Sequence, residues 1–171
     1  MDITDLTERV SAPATSFTGE APAPDDLAQI LQAGMSAPDH GGLQPWRYLT
    51  VTGAARERLG DLFADALRED DPETPESALA TARSRPLRAP VIVVVIAAQT
   101  PDLAVPVDEQ FLAAGASAHQ LVLAATALGY GAVWLSGPFS YHPRVRQGLG
   151  VAASEKVAGL VYLGRVEDGA L

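Results

Sequence analysis

The side chains with the most chemical potential lie in one stretch, Ala37-Pro38-Asp39-His40-Gly41-Gly42-Leu43-Gln44-Pro45-Trp46. It places a histidine, a glutamine and a tryptophan within seven residues. Histidine exchanges protons near neutral pH. Gln44 carries both a donor and an acceptor, the pair that the edge of a heterocycle asks for. The paired glycines let a ligand come close to the backbone. An ordinary helix-to-strand connection ending in a core tryptophan explains the same residues, and on residue types alone the two readings balance.

Other candidates are weaker. Gly148-Leu149-Gly150-Val151-Ala152-Ala153 fits G-x-G-x-x-A, but a dinucleotide fingerprint must follow a strand and open a helix. The preceding 142–147 is polar and reads as helix, so a glycine helix stop is expected. His40-Gly41-Gly42 is like an esterase oxyanion loop, yet no G-x-S-x-G elbow accompanies it. His40, His119 and His142 share no metal-ligand spacing, and His119, inside an apolar segment, reads as a packed histidine. Asp108-Glu109 suits the positive end of a helix. With no cysteine there is no thiolate nucleophile, disulfide or Cys-bound metal. No residue is assigned a catalytic role, and no metal site is expected.

The elements that position these residues follow from periodicity. Residues 2–10 form a short helix, and Ser11–Pro24 is extended loop. Asp25 and Asp26 open a helix with Leu27, Ile30, Leu31 and Gly34 on one face. Residues 46–52 form a strand, 56–67 a helix, 69–76 an acidic loop and 78–85 a short helix. Residues 90–98 are a continuous β-branched run, the mark of a strand buried on both faces. After a loop over 100–107, residues 108–128 form the longest helix, hydrophobic almost all round and so covered on both sides. Strands at 132–135 and 157–163 bracket a short helix over 143–147. The chain is thus a mixture of α and β, with no internal repeat.

At 171 residues the chain is expected to be a single domain, 1–171, with a substantial core. Twelve basic against 21 acidic residues give a net charge of −9. That excludes general nucleic-acid binding, which needs a basic face, and docking on anionic lipid. Residues 1–10 have no signal-peptide pattern, and the apolar runs are too short or too interrupted to span a bilayer. A cytoplasmic location is expected, with no membrane partner.

The 37–46 stretch resembles the nitroreductase family of FMN-dependent NAD(P)H oxidoreductases, and is especially similar to its small YdjA-like branch. Further segments run parallel. Arg9-Val10-Ser11 lies where the family carries Arg-Arg-Ser, Arg88-Ala89-Pro90 precedes the central strand, and Glu109-Gln110 opens the long helix. Residues 129–137, with Trp134-Leu135-Ser136, look like the family's Gly-rich turn and Trp-Arg-Ser segment. Residues 159–164 resemble the closing strand.

The resemblance implies an α+β fold with helices around a mostly antiparallel sheet. It also implies a homodimer with FMN at the interface, and ping-pong hydride transfer from NAD(P)H to a small-molecule acceptor such as a nitroaromatic or quinone. It places Arg9, Val10, Ser11, Ser36, His40, Gln44, Trp134, Leu135 and Ser136 at the cofactor. Three of these depart from the pattern: Val10 and Leu135 stand where the family has arginine, and Ser36 where close relatives are basic. Two lost charge-assisted contacts are worth roughly 3–6 kcal/mol. The departures open two alternatives, a fold relative that binds another planar ligand or specialised flavin chemistry.

Overall fold

The structure, a computed structural model, describes residues 11–101 and 104–167. The helix expected over 2–10, with Arg9 and Val10, lies outside the described residues. Four strands form one sheet: β1 (Trp46–Thr52), β2 (Val91–Ala97), β3 (Gly131–Leu135) and β4 (Lys156–Gly164). Their order is β1-β2-β4-β3 and every pairing is antiparallel, with a register shift between Val95 and Ile96. Around the sheet lie α1 (Pro24–Met35), α2 (Ala55–Asp70), α3 (Glu76–Ser84), α4 (Val107–Ala127), α5 (Pro138–Tyr141) and α6 (Pro143–Gly148).

All seven residues of β2 are buried. The strand alternates sides, as its geometry demands. Val91, Val93, Val95 and Ala97 belong to a core with Ile30 of α1 and Ala114, Ala118, Leu121 and Ala125 of α4. Ile92, Val94 and Ile96 belong to a second core with Leu59, Phe63 and Ala66 of α2 and Val145 of α6. Burying each such aliphatic side chain contributes roughly 1.5–3 kcal/mol before entropy is counted. The β-branched run therefore joins both helical layers.

Helix α4 is brought close to α1 by a glycine of α1. At Gly34 of α1, a Cβ would stand 2.3 Å from the Tyr48 hydroxyl and 2.6 Å from Leu121, so only glycine permits this approach. Tyr48 in turn hydrogen-bonds Ser117 of α4. Among the described residues the outward side of α4 is left open: Leu112 is 70% exposed, and His119 is exposed rather than packed. Apolar neighbours in sequence suggested burial, but position 119 falls on the outer flank.

The loop at 11–24 runs along the sheet edge. The Ala12 N–H donates to the Ala132 carbonyl at 2.9 Å, and Phe17 bridges Val166. Two elements differ from the sequence expectation. Helix α2 continues through Asp70 into the acidic stretch, where Arg144 of α6 pairs with Asp65 and Glu69. The four-residue α5 has no counterpart in the sequence reading.

Candidate cofactor site

The His40 loop is rigidly built. Its Gly41 and Gly42 have φ of 81° and 65°, and Gln44 joins them at 46°, a left-handed conformation strained for a side chain with a Cβ. Two hydrogen bonds hold it. The Gln44 N–H donates to Asp39 Oδ2 at 2.9 Å, and its side-chain Nε2 donates to the Met35 carbonyl at 3.0 Å. The Gln44 amide thus closes the end of α1, leaving its Oε1 for a ligand. Ser36 is similarly engaged, its hydroxyl donating to the Ala33 carbonyl at 2.7 Å. His40 Nδ1 meets Glu109 Oε2 of α4 at 2.7 Å, which leaves Nε2 for other partners. A shallow pocket beside this pair is lined by Pro38, Leu112, Ala113 and Ala116.

The second group of expected residues sits at the end of β3. The Trp134 indole N–H donates to the Ala158 carbonyl at 3.2 Å. Its ring lies over two glycines: a Cβ at Gly159 would stand 2.0 Å from Nε1, and one at Gly115 of α4 would stand 3.5 Å from the far edge. Trp134 and Leu135 remain 38% and 37% exposed. Ser11 precedes Ala12, whose backbone is joined to β3, so it belongs to the same edge. Among the described residues, no hydrogen bond joins this group to the His40 loop. Both groups touch α4, on neighbouring flanks.

Leu135 and Ser136 open into a cavity of about 230 Å3 that also meets Gly137, Phe139, Tyr162, Arg85 and Arg88. Phe139 stacks on Phe63 with ring centroids 4.3 Å apart, and the Arg85 guanidinium lies 5.2 Å from the Phe139 centroid. Neither Arg85 nor Arg88 has a carboxylate or hydrogen-bond partner among the described residues, although acidic residues outnumber basic ones by nine. Burial pushes the Tyr162 hydroxyl up to about 12, with Arg88 and Arg85 pulling the other way. Two unneutralised cations facing one cavity make it a site for an anion carrying a planar body.

Neither arginine was assigned to the cofactor from sequence, and Arg88 entered only as the first residue of Arg88-Ala89-Pro90. A signal was present: residues 77–101 contain no carboxylate, while Arg83, Arg85 and Arg88 all fall there. Arg83 pairs with Glu76 and Asp61, leaving the other two for the cavity. The G-x-G-x-x-A stretch is the helix stop it was expected to be: α6 ends at Gly148, and Gly150 has φ of 66°. No group of three or more metal-binding side chains occurs among the described residues. No helix among them is long and apolar enough to cross a membrane.

Comparison with known proteins places these features in context. A family model described as "Nitroreductase family" matches residues 8–165. An Escherichia coli (strain K12) relative named "Putative NAD(P)H nitroreductase YdjA" is 37% identical over 154 residues, covering 88% of this chain and 81% of its own. A nitroreductase-like protein from Bacillus cereus superposes with a TM-score of 0.82 at 27% identity, covering 98% of this chain and 87% of that one. A nitroreductase with bound FMN from Bacteroides fragilis superposes at 0.72 with 26% identity, covering 99% and 89%.

Proposed function

The chain belongs to the nitroreductase family, and from that premise we propose that it is an FMN-dependent NAD(P)H oxidoreductase working as a homodimer. The observation that carries this reading is the pair of unneutralised arginines, Arg85 and Arg88, on the cavity that Leu135 and Ser136 open. The resemblance expects an arginine at 135 and finds leucine. Arg85 and Arg88 line the same cavity and offset that loss with two guanidiniums, each suited to bidentate contact with an anion.

The residues present fit FMN. The cavity offers cations for its phosphate or its ring carbonyls, aromatic faces at Phe139 and Tyr162, and backbone amides at the Ser136-Gly137 turn. Bound there, FMN would supply two-electron hydride transfer from NAD(P)H to an acceptor such as a nitroaromatic or quinone. The side chains themselves orient and exclude water. Trp134, wedged over Gly159, fixes the path of β3 into the turn. Arg85 and Arg88 balance negative charge. His40, held by Glu109 through Nδ1, leaves Nε2 open to a hydrogen bond with the ligand.

The exposed flank of α4 supports a site made by two chains. Among the described residues no hydrogen bond joins the His40 loop to the β3 end, and the side of α4 near them exposes Leu112. An isologous contact along α4 would bring one chain's loop to its partner's cavity. Steady-state kinetics with NAD(P)H and a nitroaromatic test the mechanism. Parallel double-reciprocal lines are expected of ping-pong turnover. Intersecting lines, or no turnover with FMN added, would contradict it.

A further inference from the structure

Beyond Ser140, which lines both, a second pocket of about 190 Å3 adjoins the cofactor cavity. Phe111, Tyr141, Arg146, Lys156 and Val157 complete its wall. Its character is aromatic and cationic. The Lys156 ammonium stands 5.8 Å from the Phe111 ring centroid and has no carboxylate or hydrogen-bond partner among the described residues. Arg146 donates from Nη2 to the Ala152 and Glu155 carbonyls at 3.2 and 2.7 Å, leaving its buried Nε without a partner. The carboxylate of Glu155 is held by Arg47 through two hydrogen bonds at 2.7 Å and also acts on Arg146, which leaves Lys156 as the unpaired cation of the wall among the described residues.

We propose that this pocket binds a single-ring aromatic acid, with the ring against Phe111 and Tyr141 and the carboxylate on Lys156. Size limits the ligand: an apolar cavity of about 150 Å3 takes one benzene, so 190 Å3 takes one ring and a small substituent. Charge selects the substituent, because an exposed ammonium beside aromatic walls rewards a carboxylate over a neutral amide of the same shape. On the oxidoreductase reading above, the wall shared at Ser140 makes this the seat of an acceptor carrying a ring carboxylate. The binding itself does not depend on that reading.

Calorimetric titration of the full chain with benzoate and with benzamide tests the proposal. Benzoate saturates at one per chain, and benzamide binds about 10- to 100-fold more weakly, the range of one charge-assisted contact. Lys156→Gln weakens benzoate by a similar factor, Lys156→Arg retains it to within a few-fold, and both variants keep the wild-type flavin affinity. Failure of benzoate to saturate, equal affinity for benzamide, or an unchanged benzoate affinity in Lys156→Gln overturns the proposal. A protein that binds benzoate in this manner but takes up no flavin upholds the pocket and overturns the oxidoreductase reading.

Discussion

Replacing Gly159 with alanine tests how the fold sets the Trp134 end of the site. The added Cβ would stand 2.0 Å from the indole Nε1, 2.5 Å from Cδ1 and 3.0 Å from the Leu135 carbonyl oxygen. Ordinary contact needs about 3.5 Å, so the ring must move by about 1.5 Å. It has little room, because its far edge already rests over Gly115 of α4. Overpacking of this kind costs about 1–3 kcal/mol, and the displaced indole loses its bond to the Ala158 carbonyl, worth about 1 kcal/mol. The sum, roughly 2–4 kcal/mol, corresponds to a fall in Tm on the order of 10 °C for a chain of this size. Thermal melts followed by circular dichroism read the loss. A double-mutant cycle with Trp134→Ala isolates its cause, since most of the penalty vanishes once the indole is gone. An unchanged melt in Gly159→Ala, or an equal loss in the Trp134→Ala background, would refute the reasoning.

Three further outcomes follow from the geometry. Arg85→Gln with Arg88→Gln weakens FMN binding by roughly 100-fold, taking about 1.4 kcal/mol for each exposed cation; fluorescence titration checks it. Leu112→Glu, on the exposed flank of α4, shifts the protein from dimer to monomer in size-exclusion chromatography while its circular dichroism is retained. Glu155→Gln destabilises by up to about 1 kcal/mol near neutral pH, because Arg47 holds the Glu155 carboxyl below the usual range while Arg47 itself is partly open to solvent. The sign follows from linkage: the contribution is complete above the ordinary glutamate range and fades as pH falls through the depressed value. The gap between variant and wild type in urea melts therefore closes in acid.

Much of the fold was legible because its signals are local and redundant. The run at 91–97 is β-branched throughout and could hardly be anything but a central strand. The antiparallel sheet came from the family resemblance, and the pairings bear it out. Helix α4 announced itself through its length and alanines. The exposed side of α4 was not legible, because apolar composition alone does not separate a face left open by the described residues from one facing a core. His119 was misplaced for that reason. The last turn of α2, to Asp70, meets Arg144 and His142, which are far away in sequence, and α5 is too short to show a period.

The site divides in the same way. The resemblance picked out the 37–46 loop and the Trp134 segment, and both are well-defined structures. What each side chain does there was hidden. Gln44 read as a ligand-binding amide, but half of its capacity closes α1, which only the fold reveals. Arg88 was read only as the start of Arg88-Ala89-Pro90 and Arg85 not at all, and neither was assigned to the cofactor. They stand out only once the fold sets both on one cavity with no ion pair of their own among the described residues.

Titration of the purified, flavin-depleted chain with FMN tests the central claim most directly. The account predicts saturation at one FMN per chain, a yellow protein after dialysis, and bleaching on addition of NAD(P)H under anaerobic conditions. A colourless protein after dialysis, or bound FMN that NAD(P)H does not reduce, would contradict it.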